Sequence, residues 1–352
     1  MCFFKRNFRK SRGFMKKIVE ILCAAGILLG ILSGCEKKSV NSAKTENIEK
    51  TGEKINVVAT IFPFYDWAKN IAGDVSSVNL ELLVKNGVDL HSFQPSAGDI
   101  IKISTADVLI FAGGESDSWI KDVLKNPVNK NIAAVNLMEL LKNSVKAEEI
   151  VEGMTAEEQD DHSGGENHHH EEGEEIEYDE HLWLSVENAK TAVNEIAEIL
   201  AEKNPGSAEI FAKNKSSYLK ELEGLEEFFT LNGKGAAEKT MVVCDRFPFR
   251  YMADELGIKY FAAFPGCSAE TEASFETVAF LSKKIRELGA RKVFVTESSD
   301  KKIAETVVKN AGLEGKCKIE TLDSMQSATL EQAKNGKNYI ETMKENYEKL
   351  LG

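Results

Sequence analysis

The residues of this chain best suited to metal chemistry are its six histidines, which are unevenly distributed. Five fall in the stretch DDHSGGENHHHEEGEEIEYDEHLWL at residues 160–184, namely His162, His168, His169, His170 and His181. The sixth is His91. Neutral imidazole is the commonest side-chain ligand for metal ions. The stretch therefore indicates a metal site, a flexible acidic insert, or both.

The surroundings of these five histidines divide them into two kinds. Residues 147–180 contain no Lys or Arg and are poor in apolar side chains, so we predict an acidic, His-rich disordered loop. There His162 and His168–His170 would act as auxiliary, weak metal ligands. His181 is followed by Leu182, Trp183 and Leu184, which can hold it against a core. Only His181 is therefore expected to have a fixed geometry.

Other candidate ligands stand at the ends of predicted strands. His91 follows the apolar run LELLV, Asp245 follows VVC, and KVFVT is followed by Glu297 and Asp300. Ligands of open α/β sheets bind beyond the carboxyl ends of the strands. Two imidazoles with carboxylates suit Zn²⁺ or Mn²⁺, and less readily iron, cobalt or nickel. Helix capping is the alternative for the acids, above all for Asp300 before KKIAETVV.

The elements that must position these residues alternate along the chain. Runs such as INVVATIF and DVLIFAG alternate with helical stretches, which predicts an α/β fold with parallel sheets and helices on both faces. Two α/β lobes are expected, at residues 55–146 and 238–352. Residues 181–237 would complete the first lobe and form a long connector helix. The metal site would then lie in the cleft between the lobes.

The amino terminus reads as an export signal. MKKIVEILCAAGILLGILSGC has a basic start, a short apolar core and small residues before Cys35. LSGC looks like a bacterial lipobox, which implies cleavage before Cys35 and lipidation of its thiol. Residues 1–35 are thus predicted to be a signal peptide, with residues 1–14 a mis-annotated start and residues 36–54 a flexible tether. An uncleaved anchor is the alternative.

Composition excludes several function classes. A net charge of −13 argues against a nucleic-acid partner. The chain has no Walker A loop, no G-x-S-x-G elbow and no H-E-x-x-H pattern, so we do not predict an enzyme. Six cysteines do not make a disulfide-dense scaffold. A Cys267–Cys317 disulfide is one alternative, and Cys244 could be a soft ligand or a core thiol.

Several segments together resemble a known family. They are IFPFYDWAKNIAGD, HSFQPSAGDI, ADVLIFAGG, HLWLSVENAK, FVTESSDKKIAETV and YIETMKENYEKLL, with the His-rich loop between them. The chain resembles the zinc- and manganese-specific solute-binding lipoproteins of bacterial ABC importers. The resemblance implies two α/β lobes around a rigid helix and metal capture outside the cytoplasm. It also implies a monomer tethered to the membrane by lipid at Cys35, delivering to an ABC permease with a separate ATPase subunit.

The resemblance also implies ligands. His91 and His181 match the two histidines of the first lobe, Glu297 matches the carboxylate of zinc-type members, and Asp300 lies near the aspartate of manganese-type members. The third position departs from the pattern: Arg246 stands where a His or Glu is usual, and arginine cannot bind a metal.

Asp245 is the natural substitute for that third ligand, unless a loop histidine joins the site. We predict Zn²⁺ as the bound metal, with Mn²⁺ as the alternative. A metal-binding surface adhesin, active in cell adhesion, is a further alternative for the same scaffold.

Overall fold

The structure is a computed structural model, and it describes residues 54–154, 177–233, 239–268 and 272–352. The predicted signal peptide, the predicted lipidation site Cys35 and nearly all of the predicted tether lie outside these ranges, as do His162 and His168–His170. Within the described ranges, no helix combines the length and the apolar character that crossing a membrane requires.

The first lobe is built around a parallel sheet with strand order β2-β1-β3-β4. Its elements are β1 (Ile55–Ala59), α1 (Phe62–Ala72), β2 (Val78–Leu82), α2 (Ala97–Thr105), β3 (Val108–Phe111), α3 (Ser118–Lys125), β4 (Ala133–Asn136) and α4 (Leu137–Leu140). Local signals explain their limits. Pro63 lies in the first turn of α1, and Gly73, at φ +57°, ends it. Ser96 and Asp99 form a capping box that starts α2.

Two short strands and two long helices connect the lobes. The strands are β5 (Lys146–Ala147) and β6 (Tyr178–Asp179), and the helices are α5 (Val186–Lys203) and α6 (Ala208–Asn232). Ser185 caps α5, and a 3₁₀ turn at Pro205–Ser207 separates it from α6. Helix α6, 25 residues long, packs against α1 of the first lobe and against the carboxyl-terminal helix of the second lobe, Tyr339–Leu351. It is the connector that the sequence predicts.

The second lobe has the parallel sheet order β10-β9-β7-β8. Its elements are β7 (Thr240–Phe247), α7 (Arg250–Leu256), β8 (Lys259–Pro265), α8 (Phe275–Glu287), β9 (Lys292–Thr296), α9 (Lys302–Asn310), β10 (Lys318–Leu322), α10 (Leu330–Lys334) and α11 (Tyr339–Leu351). Counting the strands of each lobe in chain order, both sheets have the order 2-1-3-4. The prediction of two parallel-sheet α/β lobes is therefore confirmed.

The lobes share one hydrophobic core along their contact. Trp183 is fully buried, its indole N–H donates to the Ser324 carbonyl at 2.8 Å, and its own carbonyl accepts from the Tyr339 hydroxyl at 2.7 Å. The ring of Tyr339 also meets that of Trp67 edge-on, with centroids 5.3 Å apart. Buried aromatic contacts of this kind hold two bodies in a defined relation, so wide opening of the lobes is unfavourable.

The acidic segment differs from its prediction at both ends. Residues 147–180 were expected to lack structure, yet β5 and β6 pair antiparallel, and the Glu148 N–H donates to the Glu177 carbonyl at 2.8 Å. The Glu149 carboxylate accepts from the Tyr260 hydroxyl at 2.7 Å. Backbone pairing and contacts with the second lobe order these ends despite their charge.

One cross-lobe contact predicts how stability changes with pH. Asp66 of α1 is 3% exposed and accepts from the Tyr339 N–H at 3.0 Å. Burial raises its pKa to about 6, against an ordinary 3.8. Because the folded carboxyl holds its proton more tightly than the unfolded one, it destabilises the fold above pH ~6, and this penalty disappears as the pH falls to ~4.

In the wild type, this carboxyl group should raise the free energy of unfolding by about 3 kcal/mol as the pH falls from ~6 to ~4. We expect Asp66→Asn to abolish this increase. Urea unfolding of both proteins at pH 7 and pH 4 measures the difference. Parallel pH profiles for the two proteins would contradict it. Asp74→Asn, at another exposed carboxylate, is the control.

Candidate metal centre

Two histidines meet between the lobes. His91 lies on the 3₁₀ turn Leu90–Ser92 between β2 and α2, and His181 directly precedes the turn Leu182–Leu184 that leads into α5. Their Nε2 atoms are 3.2 Å apart. The His91 side chain is 5% exposed and His181 is fully buried. The sequence predicted both residues, and the fold brings them together from positions 90 residues apart.

His181 is fixed by its neighbours in the chain. Leu182, Trp183 and Leu184 are completely buried, as their apolar character predicted. The Asp179 carboxylate accepts from both the backbone N–H and Nδ1 of His181, each at 2.9 Å. A carboxylate on one ring nitrogen orients the other toward a metal, so His181 presents Nε2 to the cleft.

His91 is held from both lobes. Its backbone N–H donates to Asp89 at 3.0 Å, and Asp89 also forms an ion pair with Arg246 of β7 at 2.7 Å. Arg246, at the position where a ligand was expected, therefore ties the second lobe to the turn that carries His91. On the ring, Nδ1 lies 2.6 Å from the Ser116 hydroxyl.

A third donor, Glu180, was not among the predicted ligands. Its carboxylate is buried, and one oxygen accepts from Ser116 N–H at 3.2 Å and Ser116 Oγ at 2.7 Å. Its other oxygen, Oε2, is buried without a hydrogen-bond partner. A buried, unpartnered carboxylate oxygen is costly unless a cation satisfies it. The sequence signal for this ligand was its position directly before His181, which was hard to distinguish from the many other acidic residues of the loop.

A fourth donor comes from the second lobe. Cys267 follows β8, and its N–H donates to Glu148 at 3.1 Å. The donor atoms of Cys267, His91 and Glu180 all lie within 4.8 Å of one another. His181 is not in that group and joins it through the 3.2 Å contact between its Nε2 and that of His91. We call these four residues the interlobe site. They offer nitrogen, oxygen and sulfur, which is a donor set for a borderline divalent cation.

The hydrogen bonds define which nitrogen atoms of His91 and His181 carry protons. Because the Ser116 hydroxyl donates to Glu180, it accepts from His91, so His91 Nδ1 carries a proton and Nε2 a lone pair. That lone pair accepts from Nε2–H of His181, whose Nδ1–H faces Asp179. His181 is thus the protonated ring, and a metal ion would replace the proton between the two Nε2 atoms.

The pKa values agree with this assignment. Burial, together with the charges of His181 and Arg246, lowers the pKa of His91 to about 3. Burial opposes the charged form of His181 too, but Asp179, Glu180 and Glu148 outweigh it and leave the pKa of His181 raised. Burial also raises the pKa of Glu180. The site therefore holds negative groups at a cost that a cation relieves.

Cys244 and Cys317, the other two cysteines in the described part of the chain, are not in this donor group. Cys244 is 1% exposed in the core of the second lobe, where burial raises the pKa of its thiol, so the core alternative fits. Cys267 and Cys317 are free thiols, so the disulfide considered from the sequence is not formed.

The structure gives the three predicted acids of the second lobe other partners. Strand β7 continues through Asp245 to Phe247, so Asp245 lies inside the strand rather than at its end, and Thr296 N–H and Oγ1 donate to it at 3.1 and 2.7 Å. Glu297 accepts from Ser324 N–H and Oγ, each at 2.8 Å. Asp300 is exposed and accepts from Lys302 N–H at 3.0 Å, but the cap position of α9 is Lys301, one residue later than the capping alternative expected. Among the described residues, the group of donors within 4.8 Å includes none of the three.

Gly266 is the point where the second lobe touches His181. A Cβ added there would lie 2.8 Å from the Phe247 carbonyl oxygen and 3.2 Å from the His181 ring. We expect Gly266→Ala to displace the ring or the adjoining Cys267 and to weaken metal binding about 10-fold, the lower end for disturbing a ligand's support. Competitive metal titration measures it. Gly224→Ala is the control, because a Cβ at this position of helix α6 would meet nothing within 4 Å. Equal affinities of the two variants would contradict the expectation.

Two lobes of the same strand order, with mixed donors gathered between them, define a two-lobed α/β binding protein for a small cation. Comparison with known proteins gives the family. The family model for the zinc-uptake complex component A, periplasmic (ZnuA), matches residues 57–351. The chain belongs to this family, which confirms the resemblance seen in the sequence.

Sequence similarity to curated relatives extends over most of the chain. The zinc-binding lipoprotein AdcA of Streptococcus pneumoniae is 30% identical over 307 residues, 86% of this chain and 56% of the relative. The chain thus spans about half the length of these AdcA relatives. The high-affinity zinc uptake system protein ZnuA of Bacillus subtilis is 28% identical over 310 residues, 88% of this chain and 91% of that protein. The crystal structure of the Zn(II)-bound ZnuA-like domain of S. pneumoniae AdcA has a TM-score of 0.64 and 26% identity, covering 84% of this chain and 97% of that one.

Proposed function

We propose that this chain is the extracytoplasmic binding component of a zinc-uptake system. It captures Zn²⁺ at the interlobe site and delivers it to an ABC permease that a separate ATPase subunit drives. The observation that carries the proposal is the meeting of two imidazoles and a buried, unpartnered carboxylate oxygen between the lobes. Membership of the zinc-uptake family and the zinc-binding names of the relatives support it.

Zinc is favoured over manganese by the donors. Imidazole suits zinc, whereas manganese prefers carboxylate, carbonyl and water oxygens. Zinc accepts four-coordinate geometry, which His91, His181 and Glu180 can begin to satisfy. A relative with Zn(II) bound in the same fold supports the same choice.

Capture requires little motion. The shared core and the bonds of Trp183 with Ser324 and Tyr339 hold the lobes together. Side chains around the site therefore admit the ion, and His181 gives up the proton on Nε2 as the ion binds. Delivery would follow when docking on the permease disturbs those side chains. The chain acts as a monomer, held at the outer face of the cell membrane by a lipid on Cys35.

The test is competitive titration of the purified chain from residue 36, with elemental analysis of the bound metal. We expect one tight site for Zn²⁺ and weaker binding of Mn²⁺. Absence of tight binding, or preference for Mn²⁺, would contradict the proposal. Loss of zinc uptake on gene deletion, with unchanged host-cell attachment, separates the transport function from the adhesin alternative.

The His-rich loop needs a separate variant. Deleting residues 155–176 leaves β5, β6 and Glu148 in place, because those residues contact the second lobe. We propose that the loop is auxiliary, so that the deletion retains the tight site and loses only weaker binding. Loss of the tight site would show that a loop histidine is a primary ligand.

A further inference from the structure

We propose that Cys267 is the metal ligand supplied by the second lobe, that it binds as a thiolate, and that it sets the preference for zinc over manganese. This inference rests on the proposed function. It names a ligand from the second lobe in place of the usual one, because Arg246 stands at the expected position. It is drawn from the geometry of the interlobe site, where the Cys267 sulfur lies within 4.8 Å of donor atoms of His91 and Glu180.

The position of Cys267 mirrors that of His91. In each lobe the second strand in chain order lies at an edge of the sheet. His91 lies on the connection from that strand to the next helix, between β2 and α2, and Cys267 lies on the equivalent connection between β8 and α8. Donor atoms of these two residues lie within 4.8 Å of each other. Cys267 is thus the counterpart of a predicted ligand.

The surroundings of Cys267 fix it in place. Its N–H donates to Glu148, which belongs to the ordered start of the acidic segment. Next to it, a Cβ at Gly266 would lie 2.8 Å from the Phe247 carbonyl oxygen and 3.2 Å from the His181 ring, so glycine lets the backbone pass close to that ring. The Glu148 carboxylate therefore fixes the backbone of Cys267, whose sulfur lies within 4.8 Å of donor atoms of His91 and Glu180.

An independent observation marks this space as a cation site. Glu180 is 1% exposed, and its Oε2 has no hydrogen-bond partner. The second-lobe carboxylates that were expected as ligands have partners elsewhere: Asp245 accepts from Thr296, and Glu297 accepts from Ser324. Arg246 is paired with Asp89. Cys267 is the side chain of the second lobe that joins His91 and Glu180 in the donor group.

The chemistry is a simple exchange. The divalent ion forms a bond to sulfur, the S–H bond breaks, and its proton leaves to solvent; no electron is transferred. A coordinating thiol is deprotonated outright by the metal. Thiolate is a soft donor that binds zinc well and manganese poorly. A site of two histidines, one glutamate and one thiolate would therefore reject manganese more strongly than a site with two carboxylates.

The wild-type protein itself gives the first test. Titration with Co²⁺, a spectroscopic substitute for zinc, should produce an intense thiolate-to-cobalt charge-transfer band in the near ultraviolet. Only a sulfur ligand gives this band, so a merely structural cysteine would not. Addition of Zn²⁺ should remove it. A tight cobalt or zinc complex without the band would overturn the proposal while leaving the proposed function intact.

The second test uses matched variants. Cys267→Ser should lose the band and weaken zinc binding about 100-fold, at the upper end of what even an indirect partner of a ligand costs. Cys317→Ser, the same change at a thiol outside the site, should keep both. Cys267→Asp should bind zinc more tightly than Cys267→Ser. Its ratio of zinc affinity to manganese affinity should be about 10-fold smaller than in the wild type, because a carboxylate oxygen replaces the sulfur.

The outcomes separate the two proposals. If the wild type binds no metal tightly, the proposed function fails. If the wild type binds zinc and Cys267→Ser binds it equally well, only the ligand inference fails. Circular dichroism and thermal unfolding of the metal-free variants identify any that do not fold, and the cobalt spectrum of the wild type then decides.

Discussion

His91→Ala is expected to reduce zinc affinity about 1,000-fold while leaving the fold of the metal-free protein intact. Disturbing an indirect partner of a metal ligand costs 10- to 100-fold, so the loss of a ligand costs more. A factor of about 1,000 corresponds to about 4 kcal/mol. The remaining ring, His181, keeps its bond to Asp179, so the site loses one donor without losing its support.

The effect is measured by competition against a chromophoric chelator, with thermal unfolding of the metal-free proteins as a check. The comparison is a variant with alanine at the four loop histidines, His162, His168, His169 and His170. That variant should retain the tight site. The interlobe site would be refuted if the loop variant lost zinc affinity and His91→Ala kept it.

Glu180→Gln should weaken zinc binding about 100-fold without lowering the stability of the metal-free protein. The amide keeps the shape of the side chain and an oxygen for Ser116, but it removes the negative charge facing the ion. Burial already raises the pKa of Glu180, so the fold favours an uncharged group there. Weaker binding with unchanged or higher stability is the pattern expected of a residue retained for function.

Glu255→Gln is the matched control. Glu255 is another carboxylate whose pKa burial raises, but it bonds to Ser185 at the start of α5 and lies outside the donor group. The control should bind zinc as tightly as the wild type. Chelator competition and urea unfolding are run on all three proteins. Equal zinc affinity of both variants would remove Glu180 from the site.

The sequence alone determined the fold class and half of the interlobe site. Alternation of apolar runs with helical stretches specified two parallel sheets, because a strand covered by helices on both faces must be apolar throughout. The same local logic separated His181 from the loop histidines, since Leu182 and Trp183 had to be buried. His91 followed from its place beyond a strand. These features depend on short segments, and short segments carry their own signals.

Only the tertiary structure decided which other donors join the histidines. Being at a strand end places a residue near the cleft, but whether it faces the other lobe depends on the strand's exact length and on nearby donors. Strand β7 continues beyond Asp245, and the Ser324 hydroxyl donates a hydrogen bond to Glu297. Glu180 and Cys267 reach His91 because β6 and β8 end beside it once the lobes pack. That packing is set by contacts distant in sequence, such as Trp183 with Ser324, which no local pattern encodes.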